Sequence, residues 1–286
     1  MSGIEKIGII GTGLMGKGIA HVLAIGGFKV DVFGRRDDFS GEITEYFNYE
    51  ESKGRINSQK KELILQNVNF FNLNTQAEKV SECQVIIETV KEDIVVKKEI
   101  FTSIKPYINA GALLASNTSS YLISRLAQYT PYPQNFIGLH FFSPVPLMKL
   151  VEVVEGKSTD ESAVNTACTL VKSIDKLPVV VKDSPGFVLN RGLFVMINEA
   201  VTMLHEGIVG CSEDIDNIFI NGMGLKVGPL KLADMVGIDV TLKVLENMYE
   251  ETENNKYTPC VLLKTMFENG LLGKKAGEGF YSYKGR

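Results

Sequence analysis

The stretch that most constrains this chain is its first thirty-odd residues, built around Gly11-Thr12-Gly13-Leu14-Met15-Gly16. Before it, Lys6-Ile7-Gly8-Ile9-Ile10 is too short for a helix and suits a buried parallel strand. After it, Met15, Ile19, Val22 and Leu23 recur at helical spacing, Gly26-Gly27 breaks the helix, and Phe28 to Phe33 reads as a second strand. Strand, glycine turn, helix, strand is the context in which G-x-G-x-x-G signifies dinucleotide binding. Gly11 makes the tight turn, Gly13 lets backbone N–H groups approach a pyrophosphate at the helix N-terminus, and Gly16 lets helix and strand pack closely. The expected cofactor-binding residues here are Gly11, Gly13, Leu14, Met15 and Gly16.

The end of the second strand carries a departure. An NAD site has Asp or Glu there to bond the adenosine ribose 2′-OH. Here Gly34 stands at that position, with Arg35 and Arg36 behind it. A carboxylate repels a 2′-phosphate, whereas a guanidinium pairs with it bidentately. The expected cofactor is therefore NADP(H), with NAD(H) possible if Arg35 and Arg36 are merely solvated and Asp37 or Asp38 takes the ribose.

Composition narrows the function classes. A net charge of −4 gives no global attraction to nucleic acid or to an anionic membrane. No apolar run approaches the length of a membrane span, and the N-terminus does not resemble a signal peptide. Cys83, Cys168, Cys211 and Cys260 are far apart and form no C-x-x-C, so neither a metal site nor a disulfide framework is expected. Reduced thiols in a cytoplasmic protein fit that usage.

Along the chain, Phe39 to Asn67 reads as a helical hairpin inserted into the sheet, with Ser58 capping its second helix and Lys53 at its tip. Strands are expected at Val68 to Leu73, Cys83 to Val90 and Leu113 to Ala115. Helices are expected at Ile94 to Ile104 and Tyr121 to Gln128. Glu92 follows a strand end, where ligands collect in open α/β sheets; it equally suits the acidic first turn of the next helix. Ser116-Asn117-Thr118-Ser119-Ser120 either caps a helix or turns hydroxyls and amides towards a substrate oxygen.

Phe136 to Phe142 and Lys149 to Val154 are two strands joined by a short proline-rich link, hence antiparallel neighbours closing one edge of the sheet. This brings His140 and Glu152 within reach of each other. A carboxylate beside an imidazole fixes its tautomer and makes a general acid–base; alternatively, His140 is a satisfied core histidine. Thr159 to Ile174 reads as a helix and Pro178 to Val181 as a last strand. The rest is helical in pattern, with helices at Val188 to Leu204, Asp214 to Asn221, Pro229 to Leu245 and Val261 to Glu268. The expected architecture is α/β: a Rossmann-type doubly wound sheet with a helical-hairpin insertion over residues 1–183, then an all-α C-terminal domain over 184–286.

Four blocks taken together resemble the 3-hydroxyacyl-CoA dehydrogenases. They are the run Leu139 to Val153 around His140 and Glu152, the Ser116 to Ser120 loop, Pro185-Gly186-Phe187-Val188-Leu189-Asn190-Arg191, and the Gly277-Glu278-Gly279-Phe280-Tyr281 ending. They fall in the family's order across the chain, whose length is that of the bacterial short form. The resemblance implies His140 as acid–base, Glu152 as its orienting carboxylate, and Ser119 and Asn190 as partners of the reacting oxygen. It places Glu92 and Lys97 near the nicotinamide and its ribose, and Asn117 beside cofactor and substrate. Lys53 becomes a candidate contact for the CoA tail, and the helical domain the site of homodimerisation. The implied reaction interconverts an (S)-3-hydroxyacyl-CoA, foremost the four-carbon one, and its 3-oxo form. Three departures stand out: Gly34-Arg35-Arg36, Ser143 in place of the usual Asn, and Lys226-Val227 in place of Pro-Met. The rival readings are a dehydrogenase of a free hydroxy acid, of gulonate or carnitine type, and a non-catalytic cofactor-binding protein.

Overall fold

The computed structural model describes residues 3–36 and 38–284; Asp37, one of the two alternative ribose ligands, lies outside them. The chain divides after Asp183 into two compact units. The first runs β1 (Lys6–Ile10), α1 (Leu14–Ile25), β2 (Lys29–Gly34), α2 (Ser40–Ser52), α3 (Ser58–Asn67), β3 (Val68–Asn72), β4 (Val85–Glu88) and α4 (Ile94–Ile104). It continues with β5 (Leu113–Ser116), the single turn α5 (Ile123–Leu126), β6 (Phe136–Phe141), β7 (Leu150–Glu155), α6 (Glu161–Ser173) and β8 (Leu177–Lys182).

The strands form one sheet in the order β3-β2-β1-β4-β5-β6-β7-β8. Only the β6–β7 pair is antiparallel. The order reverses between β1 and β4, which opens the crevice at their carboxyl ends where α/β sheets bind ligands. Both faces are covered by helices, so the strands are continuous apolar runs such as Ile7, Ile9 and Ile10 or Val85, Ile86 and Ile87, all buried.

Four local expectations are corrected. The β6–β7 pair does not close the sheet: α6 supplies the crossover that lets β8 add in parallel, from Leu150↔Leu177 to Glu155↔Lys182, and β8 is the edge. The hairpin is two helices as read, but Asn57 rather than Ser58 caps the second, its Oδ1 accepting the Lys60 N–H at 2.9 Å. Ser58 instead donates to Glu51 at 2.7 Å, tying the hairpin's helices together. The helix expected from Tyr121 shrinks to α5 and a 3-10 turn (Ala127–Tyr129), its start fixed by Asp183, which accepts the N–H groups of Ile123 and Ser124.

The second unit is all helical: α7 (Leu189–His205), α8 (Ser212–Met223), α9 (Pro229–Val236), α10 (Ile238–Thr252) and α11 (Val261–Glu268). Pro229 to Leu245 is not one helix, the fourth correction. Gly237, at φ +107°, breaks it into α9 and α10. Phe194, Ile197, Val201, Leu230, Leu245 and Met248 form the core of this unit. Asp216 accepts the Leu230 and Lys231 N–H groups at the start of α9. Asp234 accepts those of Phe280 and Tyr281, so the Gly-Glu-Gly-Phe-Tyr tail is bound to α9.

His21 sits on the buried face of α1, edge-on to Tyr46 and Phe47 of α2, and is 2 % exposed. Burial, with the charges of Lys176 and Lys60, lowers its pKa to about 4. The folded protein thus holds a neutral ring while the unfolded chain takes up a proton below about pH 6.5. Stability is therefore lost as pH falls through the window from about 6.5 to about 4, by roughly 3 kcal/mol in all. In urea unfolding at pH 7 and pH 5, His21→Phe should shrink the stability difference by roughly 2 kcal/mol. An unchanged difference would show that His21 does not carry it.

Candidate active site

The glycine loop follows directly from its sterics. Gly11 has φ +125°, and a Cβ there would lie 2.6 Å from the Thr89 hydroxyl oxygen. A Cβ on Gly16 would run into the Gly11 carbonyl oxygen. Thr89, just after β4, donates through its hydroxyl to the Ile10 and Gly11 carbonyls at 3.2 and 3.3 Å, pinning the turn. Gly13 differs, because a Cβ there would meet nothing within 4 Å. It is the N-cap of α1, with no side-chain cap and no acidic residue in the first turn. The helix N-terminus therefore opens on a cleft of about 550 Å³ lined by Gly11, Gly13, Leu14, Met15, Thr89 and the Gly34-Arg35-Arg36 corner. Uncapped N–H groups, the helix dipole and open space fit a dinucleotide pyrophosphate.

At the far corner of that cleft, Arg36 is 61 % exposed and its Nη1 lies 2.6 Å from Oε1 of Glu42 on α2. Lys17 of α1 approaches the other Glu42 oxygen at 3.7 Å. Arg36 and Lys17 hold the Glu42 carboxyl below the usual carboxylate range, the hydrogen bond from Arg36 being the main cause. Asp38, the other alternative ribose ligand, instead accepts the Ser40 N–H and hydroxyl at 3.1 and 2.9 Å, forming the turn into α2.

His140 and Glu152 are direct cross-strand partners in the β6–β7 register. Both are buried, and His140 Nδ1 is 2.7 Å from Glu152 Oε2. The ring of Phe142 packs against His140 at a centroid distance of 4.4 Å. The following turn is held by Lys176, whose ammonium donates to the Val145 and Met148 carbonyls at 2.6 and 2.7 Å. Val145 of that turn rests on α1 at Gly18, where a Cβ would come within 2.9 Å of it. The link between the two dyad strands is thus seated on the helix of the glycine loop.

The Ser116–Ser120 segment joins the two regions. Asn117 accepts the Phe141 N–H at 2.9 Å, coupling the loop to the strand of His140. Glu92 gathers the loop tip, accepting from the Thr118 hydroxyl at 2.6 Å, the Ser119 and Ser120 N–H groups at 2.9 Å each, and the Ser120 hydroxyl at 2.8 Å. Burial pushes the Glu92 carboxyl up, but Lys97 and these hydrogen bonds outweigh it and hold it below the ordinary range. The loop does not cap α5, whose N-cap is Leu122 without a side-chain bond; its N–H groups and hydroxyls converge instead on a carboxylate from the neighbouring strand end.

Lys97 is 1 % exposed, with its ammonium 2.8 and 2.9 Å from the two Glu88 oxygens and 3.1 Å from Glu92 Oε2. Glu88, at 0 % exposure, also accepts from the Ser116 hydroxyl at 2.6 Å and the Val90 N–H at 2.7 Å. The sequence reading passed over Glu88; the signal available was an acid ending the fully apolar run Val85-Ile86-Ile87. It also passed over Lys176, for which the sequence holds no comparable signal. Lys53, at the end of α2, is exposed with its ammonium 5.4 Å from the Tyr49 ring centre. Asn190 is the second residue of α7 in the helical unit. The structure thus gathers Gly11, Gly13, Leu14, Met15 and Gly34 to Arg36 at one cleft, with Gly16 packed behind them against Gly11 and Thr89, and links His140, Glu152, Asn117, Ser119, Glu92 and Lys97 in a second connected group.

Comparison with known proteins adds independent findings. The family model for the 3-hydroxyacyl-CoA dehydrogenase NAD binding domain matches residues 6–184, and that for the C-terminal domain of the same family matches residues 186–283. A 3-hydroxybutyryl-CoA dehydrogenase of Bradyrhizobium diazoefficiens is 40 % identical, over 99 % of this chain and 96 % of the relative. One from Clostridioides difficile is 38 % identical, over 97 % and 99 %. Among solved structures, the (S)-3-hydroxybutyryl-CoA dehydrogenase PaaH1 of Ralstonia eutropha superposes with a TM-score of 0.93 at 35 % identity, covering 98 % of this chain and 99 % of that one.

Proposed function

The chain belongs to the 3-hydroxyacyl-CoA dehydrogenase family, and from that premise we propose that it interconverts (S)-3-hydroxybutyryl-CoA and acetoacetyl-CoA with NADP(H) as preferred cofactor. The observation that carries the chemistry is the buried His140–Glu152 pair, built across β6 and β7. Glu152 holds the Nδ1 proton of the neutral ring, which fixes the tautomer and assigns proton exchange with the substrate oxygen to Nε2. The imidazolium formed when His140 takes the hydroxyl proton is stabilised by the same carboxylate. The family resemblance gives Ser119 and Asn190 the role of bonding the reacting oxygen, and Asn117 keeps the loop on the His140 strand. The nicotinamide supplies hydride chemistry when bound; Gly11 to Gly16 hold its pyrophosphate. Homodimerisation through the helical unit belongs to the same reading.

The NADP(H) preference rests on Gly34, Arg35 and Arg36 lining the cleft while no carboxylate stands at position 34. A 2′-phosphate would take over the Arg36 guanidinium that Glu42 now holds. Replacing both arginines by Gln should lower the NADPH-to-NADH ratio of kcat/KM about tenfold, the scale of one or two charge-assisted hydrogen bonds at an exposed site. An unchanged ratio would discard the arginines as selectors. The experiment that tests the whole proposal is the initial rate of acetoacetyl-CoA reduction with NADPH and with NADH, side by side. A rate mainly with NADPH is expected. A rate mainly with NADH keeps the dehydrogenase and removes the arginine reading. No rate with either redirects attention to a free hydroxy acid or to binding without turnover.

A further inference from the structure

We propose that Phe39 closes the end of β2 to a ribose-binding carboxylate: its ring fills the volume that any side chain at position 34 needs. A Cβ built on Gly34 would lie 2.6 Å from Cδ1 of Phe39 and closer still to Cε1. Atoms do not approach that closely, so either the ring or the strand must yield. Neither is placed to do so. Phe39 is 3 % exposed, part of the core with Ile43 and Phe47, and edge-on to Phe70 at 5.8 Å and 89°. The strand end is fixed from the other side, since the Leu73 N–H donates to the Gly34 carbonyl at 2.7 Å and the Asn74 amide to the Arg35 carbonyl at 3.1 Å.

Gly34 is thus required by a neighbour rather than simply lacking an acid. With the carboxylate position sealed, the charged groups among the described residues that line this corner beside the ribose edge are Arg35 and Arg36. A single Gly34→Asp substitution, the obvious way to convert such a site, meets the Phe39 ring before it meets a ribose. The inference rests on the glycine-loop cleft being the dinucleotide site, and it is separable from the NADP(H) preference itself.

The test is a set of four proteins: unaltered, Gly34→Asp, Phe39→Ala and Gly34→Asp/Phe39→Ala. Each is titrated with NADH and with NADPH by nucleotide fluorescence, and its Tm is read. Gly34→Asp alone should lose Tm and bind NADH no more than twofold tighter than the unaltered protein. The double variant should bind NADH at least about tenfold tighter than Phe39→Ala, the lower end for a charged hydrogen-bond acceptor meeting a hydroxyl. A folded Gly34→Asp that tightens NADH as much as the double variant does, without loss of Tm, would overturn the proposal. So would a double variant with no gain over Phe39→Ala. If Gly34→Asp does not fold, Gly34→Ala reads the same contact: its Tm loss should be largely absent in the Phe39→Ala background, and equal losses in both backgrounds would overturn the gate. The NADPH-to-NADH ratio of Kd in the unaltered protein tests the arginines on its own, and NADH binding tighter there leaves the Phe39 result standing. Binding of neither cofactor would overturn the site reading beneath both.

Discussion

Changing His140 to Gln should cut the turnover of acetoacetyl-CoA reduction by at least about two orders of magnitude, the usual scale for loss of a positioned general acid–base. The ring is held by its Nδ1 contact to Glu152 at 2.7 Å and by Phe142 against its face. Gln can keep a hydrogen bond to Glu152, so the strands should remain paired, but it cannot exchange a proton near neutral pH. Nucleotide affinity should stay within about threefold, because the glycine loop is built from backbone and from Thr89, not from His140. Glu152→Gln should also lower turnover, since the carboxylate that orients the ring and stabilises the imidazolium formed in the reaction is gone. Turnover of His140→Gln within fivefold of the unaltered enzyme would dismiss the dyad.

That pair was legible in the sequence because local rules decide it. Two apolar runs joined by so short a link around Ser143-Pro144-Val145-Pro146 read as antiparallel neighbours, which brings His140 and Glu152 within reach of each other. The glycine loop was legible for a similar reason, since Gly11 and Gly16 answer to backbone contacts within one βαβ unit. What escaped is what depends on groups brought together from a distance. Gly34 reads as a missing carboxylate, but its cause is the ring of Phe39. The burial of Lys97 is of the same kind, since its partner Glu88 ends a different element and draws it inward. The edge position of β8 depends on how α6 crosses the sheet, and helix periodicity carries no record of that. The break at Gly237 fails for the opposite reason: apolar spacing runs through Pro229 to Leu245 without interruption, and one glycine at φ +107° overrides it.

The Lys97–Glu88 pair gives the largest expected effect on stability. Lys97→Met keeps the side chain's apolar stem and deletes its charge, leaving Glu88 fully buried with only the Ser116 hydroxyl and the Val90 N–H as partners. Removing one member of a buried ion pair costs about 3–5 kcal/mol, because the uncompensated charge stays behind. In the unaltered protein burial lowers the Lys97 pKa, but the two facing carboxylates more than reverse it, so Lys97 remains charged well above neutral pH. In the variant, Glu88 has lost its cation and can escape the penalty only by taking up a proton. The loss should therefore be largest at pH 8 and shrink towards pH 5, the direction expected when the folded state binds a proton that the unfolded chain releases. Adding Glu88→Gln, which keeps the shape and removes the stranded charge, should recover at least about half of the loss. Glu92 would keep Thr118, Ser119 and Ser120 as partners, so the loop beside His140 should loosen less than the strand end at Glu88. Urea unfolding of the single and double variants at the two pH values measures all of this. A single variant within about 1 kcal/mol of the unaltered protein, or a double variant with no recovery, would show that the ammonium is not the group that makes this burial tolerable.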